Sequence, residues 1–280
     1  MVRVPQELFD AYLFDLDGTI YLGDQLLPGA SRMIAALRRL ALPVRFISNN
    51  PTHDPSQCAA KLTGLGIPAA TEEIVNSVVT TVAWLKAHHP DAVVFPIAEA
   101  PLQRALAEAG IRISDRAEEV DIVIASYDRG FDYRKLQIAF DAIWFHQRAF
   151  LIQTNPDRFC PYPGGRGQPD AAAITAAIEA ATGVQCRHSF GKPDPLMLQA
   201  ALATLPPLPP QRVLMVGDRL HTDVAMATGA GVRSAVVLTG EATAEQVAAM
   251  PSGAAPDFVL ARIDQLIPAG LWGEFGWAAC

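Results

Sequence analysis

The stretch Ala11-Tyr12-Leu13-Phe14-Asp15-Leu16-Asp17-Gly18-Thr19 decides how the rest of the chain is read. Four apolar residues run into an acidic pair, and the pair runs into Gly18 and Thr19. An apolar run without polar alternation is the pattern of a parallel strand covered on both faces. Outward from it lie further short runs rich in Val, Ile and Phe, most of them apolar on both faces: Val44–Ile47, Val93–Phe95, Ile122–Ala125, Phe150–Ile152, Val213–Val216 and Ala235–Leu238. Segments of helical period separate them. Pro28-Gly29 precedes a helix with Met33, Ile34, Leu37, Leu40 and Ala41 on one face, Arg32, Arg38 and Arg39 off it, and Pro43 as its stop. Asp54-Pro55 and Asp194-Pro195 each place an N-cap before a proline at the first helical position, and Gly64 and Gly66 end the first of these helices. Thr222-Asp223 opens a helix that Gly229 closes. Strand alternating with helix predicts an α/β protein on an open, mostly parallel sheet.

In such a sheet, ligands bind beyond the carboxyl ends of the strands. Three groups stand at predicted strand ends: Asp15 to Thr19, Ser48-Asn49-Asn50, and Gly217-Asp218. The middle of the chain carries its own strand and helix signals. Residues 79–183 are therefore expected to form a second domain inserted into a core of residues 1–78 and 184–280. The proline- and glycine-rich segment from Pro161 to Pro169 is expected to be a loop, and Ala171–Ala181 a helix with a small face.

Half of the 280 residues are apolar and 18% are charged, which excludes a disordered chain. The net charge of −7 argues against a broad nucleic-acid surface. No uncharged apolar stretch reaches the length of a membrane span. Cys58, Cys160, Cys186 and Cys280 form no CxxC pair and are expected to be reduced thiols. The N-terminal residues lack a basic-then-apolar leader, so the expectation is a soluble, unprocessed, cytoplasmic protein.

Several templates fail on spacing. A calcium loop of the EF-hand kind needs its glycine three residues after the second acidic position, and here Gly18 follows Asp17 directly. A phosphate loop ending at Gly191-Lys192 would need glycine where Cys186 stands, and Ser or Thr where Pro193 stands. Gly229-Ala230-Gly231 lacks the third glycine of a dinucleotide fingerprint, Ser234 occupying its place. No serine lies in a GxSxG setting. The histidines show no metal-ligand spacing; His221 is read as a loop or rim residue, and His88-His89 as a solvated helix end. What stands is acidic: Asp15 and Asp17 at one strand end, Asp218 and Asp223 at another, a donor set suited to a hard divalent cation, Mg²⁺ above all. With Ser48 and Lys192 added, the set suits phosphoryl transfer to an aspartate, where a cation and a lysine offset the repulsion between carboxylate and phosphate.

In this order the motifs resemble the haloacid dehalogenase (HAD) superfamily, most closely subfamily IIA, the NagD-like or p-nitrophenyl phosphatase group. The matching segments are Asp15 to Ile20, Ile47 to Asn50, Gly191 to Pro195 and Gly217 to Asp223, together with Tyr127 to Tyr133 and Thr154-Asn155-Pro156-Asp157. The resemblance implies a Rossmann-like core with an inserted α/β cap that governs specificity, and a Mg²⁺-dependent phosphatase of a small phosphorylated metabolite. Sugar phosphates, glycerol phosphate, phosphoglycolate and nucleotides are the substrate classes it suggests. Asp15 would be the nucleophile and a metal ligand. Asp17 would be the acid/base and would offer its backbone carbonyl to the metal. Asp218 would be the remaining metal ligand. Ser48, Asn49, Asn50 and Lys192 would hold the phosphate, Asp223 would support the metal or Lys192, and Gly18 would allow the turn beside the phosphate. A homodimer through the cap is also implied. Where the family carries a Gly-x-Gly-Ser turn, this chain has Gly167-Gln168-Pro169-Asp170. Arg158, Tyr162 and Arg166 are candidate contacts to the leaving group. The alternatives are a phosphotransferase or mutase using the same intermediate, and a non-catalytic sensor of a phosphometabolite.

Overall fold

The structure is a computed structural model that describes residues 2–162 and 166–277. The described chain divides into two compact units. One comprises residues 1–48, 58–75 and 197–280, the other residues 49–57 and 76–196.

The first unit is built on a six-stranded sheet in the order Phe258–Leu260, Arg233–Val237, Val213–Gly217, Ala11–Asp15, Val44–Ser48, Ile74–Asn76. The strand Ala11–Asp15 lies parallel to both its neighbours, with Phe14 opposite Val216 on one side and Asp15 opposite Ile47 on the other. All five of its residues are buried, as an unalternating apolar run requires. Its side chains still divide by face. Tyr12 and Phe14 join a core cluster with Met33, Ile34 and Leu37 of the helix Ala30–Arg39. Ala11 and Leu13 join another with Met197, Leu198 and Ala201. A residue period of two thus feeds two cores on the two sides of one sheet. The chain leaves Ala11–Asp15 toward Val44–Ser48 on one side and later fills the other side from Val213–Gly217 outward. The strand order reverses between Ala11–Asp15 and Val213–Gly217, the place where parallel sheets open a crevice at their carboxyl ends.

The second unit holds a four-stranded parallel sheet in the order Arg112–Ile113, Val93–Ile97, Ile122–Ala125, Phe150–Gln153. Its helices include Ser77–His88, Ala100–Glu108, Tyr133–Phe140 and Ala171–Thr182. The Asn76 side chain caps the first, accepting from the Val79 amide at 3.1 Å. The expectation of an α/β protein on parallel sheets holds.

The structure departs from the sequence reading in several places. Residues Phe159–Tyr162 and Arg166–Pro169 pair as an antiparallel hairpin where a loop was expected, with Cys160 opposite Gln168. Phe159 and Tyr162 are exposed, so the hairpin carries no apolar alternation to announce it. Pro163, Gly164, Gly165 and Cys280 lie outside the described residues; Cys58, Cys160 and Cys186 form no disulfide among the described residues. The first helix stops at Arg39, and Ala41 is exposed with φ +55°, off the apolar face assigned to it. His88 is exposed at the end of its helix, as expected, while half-buried His89 packs on the Trp84 ring at 4.9 Å between centroids. Among the described residues, no helix is long and apolar enough to cross a membrane.

Candidate active site

Asp15 and Asp218 are each delivered by a strand end of the first unit. Asp15 closes Ala11–Asp15, and the chain then turns sharply: the Leu16 carbonyl accepts from the Ile20 amide at 2.9 Å, and the Gly18 amide donates to the Tyr21 carbonyl at 2.8 Å. Half-buried Asp17 sits in this turn. Thr19 donates its hydroxyl to Asp15 Oδ2 at 3.3 Å. Ser48, buried, ends the neighbouring strand one residue beyond the Asp15–Ile47 pair. Asp218 directly follows Val213–Gly217.

Asp223 arrives by a less ordinary route. The expected helix start at Thr222-Asp223 is instead the interior of a wide turn over Leu220–Val224, in which the Val224 amide reaches the Arg219 carbonyl, five residues back, at 3.3 Å. The reason lies in the side chain: Asp223 Oδ2 folds back to accept the Arg219 amide at 3.1 Å, and a widened turn accommodates it. A Cβ on Gly217 would stand 2.2 Å from the Asp223 carboxyl carbon, so glycine there lets the carboxylate lie against the backbone.

The result is a cluster in which one carboxylate oxygen from each of Asp15, Asp218 and Asp223 lies within 4.8 Å of the others, all three residues being buried. Asp218 is cradled by two glycines. A Cβ on Gly18, which has φ +87°, would lie 2.4 Å from Asp218 Oδ2, and one on Gly240 only 2.0 Å from it. The Glu241 amide donates to the same Oδ2 at 2.8 Å. Burial pushes the Asp218 carboxyl up to about 8, and the charges of Asp15 and Asp223 push the same way, against the Glu241 amide and Arg219. Crowding these carboxylates out of water raises the cost of charge on Asp218, and a cation among them relieves it.

The donor set suits such a cation. Oxygen ligands at a strand-end crevice are what Mg²⁺ and Ca²⁺ take. Asp218 Oδ1 is buried with no hydrogen-bond partner among the described residues, an arrangement costly unless something positive meets it.

The other expected phosphate ligands belong to the second unit. Asn49 and Asn50 follow Ser48 in the chain. Asn50 Oδ1 accepts from the Thr52 amide at 2.9 Å and its hydroxyl at 2.7 Å, closing a local turn. Asn49 is joined to Lys192: the Lys192 amide donates to Asn49 Oδ1 at 2.6 Å, and Asn49 Nδ2 donates to the Lys192 carbonyl at 3.0 Å. Lys192 is only 3% exposed, which sets it apart from a solvated loop lysine. The Asp194 carboxylate caps the next helix, accepting from the Leu196 amide at 2.9 Å.

The segment Thr239 to Ala242 was missed by the sequence reading. Thr239 donates to the Gly18 carbonyl at 2.8 Å, Gly240 and Glu241 hold Asp218 as described, and the Ala242 amide binds the Asp218 carbonyl at 2.9 Å. Glu241 also pairs with Arg219 at 3.1 Å. The signal available was positional: this segment follows the strand Arg233–Val237 and so stands at the same sheet edge as the acids.

A parallel sheet with buried acids gathered at its carboxyl edge suits cation-assisted chemistry on an anionic ligand, and comparison with known proteins identifies the family. Residues 12–112 match the family model of haloacid dehalogenase-like hydrolases, and residues 189–266 match a HAD-hydrolase-like model. The chain is 36% identical over 239 residues to an acid sugar phosphatase of Staphylococcus epidermidis, covering 85% of this chain and 90% of that protein. Among solved structures it resembles 4-nitrophenylphosphatase from Thermotoga maritima, with a TM-score of 0.85 and 32% identity over 92% of this chain and 96% of that one. A glycerol phosphate phosphatase from Mycobacterium tuberculosis, in complex with magnesium, gives 0.82 and 29% over 92% and 77%. The chain belongs to the HAD hydrolases, subfamily IIA, the NagD-like or p-nitrophenyl phosphatase group, and is a phosphoric monoester hydrolase.

Proposed function

We propose that this chain is a Mg²⁺-dependent phosphatase of small sugar or polyol phosphates that works through an aspartyl-phosphate on Asp15. The observation that carries the reading is the buried cluster of Asp15, Asp218 and Asp223 with its unpartnered Asp218 oxygen. The substrate class is supported by the acid sugar phosphatase and glycerol phosphate phosphatase among its relatives, and magnesium by the complex of the latter.

Asp15, Asp218 and the Asp17 carbonyl would hold the cation, with Asp223 in support. When bound, the cation neutralises phosphate charge and makes attack by an anion feasible. Asp15 forms a bond to phosphorus as the bond from phosphorus to the substrate oxygen breaks, and Asp17 donates the proton that the departing oxygen takes up. Asp17, now ionised, takes a proton from water as that water's oxygen attacks phosphorus, freeing inorganic phosphate and Asp15. Ser48 and Lys192, with the amides of Asn49 and Asn50, hold the phosphoryl oxygens. In this reading residues 1–78 and 184–280 carry the chemistry, and residues 79–183 form the cap that selects the leaving group. Asp15→Asn is expected to lower phosphate release by more than about a thousandfold in a protein that still folds. Activity in that variant within tenfold of wild type sinks the nucleophile assignment.

A further inference from the structure

Thr154-Asn155-Pro156-Asp157 has no task in the scheme above. We infer that Asp157 is a positioning residue for Lys192, acting through the Asn49 carboxamide. The inference rests on the reading that Lys192 holds the phosphate.

The geometry is a relay of hydrogen bonds within one compact unit. The Asn49 carboxamide meets the Lys192 main chain twice, accepting from its amide at 2.6 Å and donating to its carbonyl at 3.0 Å. This pairing is the side-chain equivalent of a strand contact, and it fixes both polar groups of the residue that carries the lysine. It works in one orientation of the carboxamide only. Asn49 Nδ2 also donates to Asp157 Oδ2 at 2.7 Å. Flipping the carboxamide would turn its oxygen onto both the Asp157 carboxylate and the Lys192 carbonyl, and would set its amino group against the Lys192 amide. Asp157, an acceptor only when ionised, therefore enforces the orientation that Lys192 needs.

The carboxylate is itself anchored. Asn155 Nδ2 donates to Asp157 Oδ2 at 3.0 Å and to Asp170 Oδ1 at 3.1 Å, and Thr154 donates to Asn155 Oδ1 at 2.8 Å. Asp170 caps the helix Ala171–Thr182. Gly191 makes room for the arrangement: a Cβ there would lie 2.7 Å from the Asn155 Cβ and 2.8 Å from Asn49 Oδ1. A buried lysine has little freedom to recover its place by swinging its side chain, so an error in its main chain reaches the ammonium. Misplacement of a binding group by about 1 Å is worth on the order of a hundredfold in rate.

The test measures kcat and KM for p-nitrophenyl phosphate at saturating Mg²⁺, with melting temperature alongside. Asp157→Ala is expected to lower kcat/KM by about 10- to 100-fold, whereas Asp157→Asn, which leaves an oxygen in place for Asn49, should stay within about fivefold of wild type. Asp157→Ala introduced into Lys192→Ala should cost less than about threefold more, because the lysine it positions is gone. A full additional loss in that background, or wild-type activity in Asp157→Ala, overturns the proposal. If Asp157→Ala does not fold, Asp157→Glu replaces it: the charge is kept but the oxygen moves by a methylene, so a loss of at least tenfold is expected and wild-type behaviour overturns the proposal. Failure of the underlying reading is separate and visible, since Lys192→Ala alone would then leave kcat/KM unchanged.

Discussion

Replacing Gly240 by alanine tests whether the Asp218 carboxylate must sit where the structure puts it. The added Cβ would lie 2.0 Å from Oδ2 and 2.6 Å from the carboxyl carbon, whereas ordinary contact begins at 3.4 Å. The carboxylate must therefore retreat by about 1.4 Å, or the 239–242 segment must move by as much. Metal–ligand distances tolerate about 0.2 Å. Either response also strains the 2.8 Å bond from the Glu241 amide that aims the carboxylate. Loss of an outer contact that orients a ligand typically weakens metal affinity by about 10- to 100-fold, and a displaced ligand should reach the upper end. The assay is phosphate release from p-nitrophenyl phosphate against Mg²⁺ concentration, with half-saturation as the readout. Gly253→Ala is the control, because its Cβ would meet nothing within 4 Å. A folded Gly240→Ala protein with half-saturating Mg²⁺ within twofold of wild type would refute the argument that this glycine cradles a metal ligand.

The Asp218 carboxyl also sets a pH dependence. Its folded value is raised to about 8 from an ordinary 3.8, so its contribution to the stability of the metal-free protein is complete below about 4 and is lost as pH rises toward 8. Each pH unit in that window removes up to about 1.4 kcal/mol, and Asp218→Asn should escape the loss. Melting curves in chelator should show Asp218→Asn gaining on wild type from pH 5 to pH 8, and a constant difference would count against the crowded-carboxylate account. Elsewhere, Asp264 is buried between Arg32 and Arg262, and Arg32 packs over the Trp277 ring at 4.6 Å. Asp264→Ala removes the shared partner of two partly exposed cations at a cost of about 1–3 kcal/mol, or a melting temperature lower by about 5 °C, with kcat unchanged at 25 °C. Melting unchanged within 2 °C would show the pair to be dispensable.

The seven runs read from the sequence all form strands, because strands buried on both faces are written mostly in apolar residues. The edge strands Ile74–Asn76 and Phe258–Leu260 escaped that reading, being three residues long and too short to show a period. The strand Arg112–Ile113 is exposed and carries no pattern at all. In the site, acidity was legible: Asp15, Asp17, Asp218 and Asp223 announce themselves by residue type at strand ends. The cradle was not. Gly240 contributes the lack of a side chain and Glu241 an amide, and neither contribution is a property of the letter alone. Asn49 stands out in the sequence as a phosphate ligand, while its carboxamide meets Lys192 across 143 positions of sequence, a pairing that no local spacing reveals.

The wide turn at Leu220–Val224 has a consequence for how this chain can vary. Its length is counted rather than merely sufficient. Removing one residue would let the turn close into ordinary α-helix and swing everything after it by about 100°, lifting the Asp223 carboxylate from its seat against Gly217. The exposed His221 in the middle of the turn is open to exchange for many other side chains. The number of residues there is not open to change, so the exposed position can drift by substitution while the segment is closed to insertion and deletion.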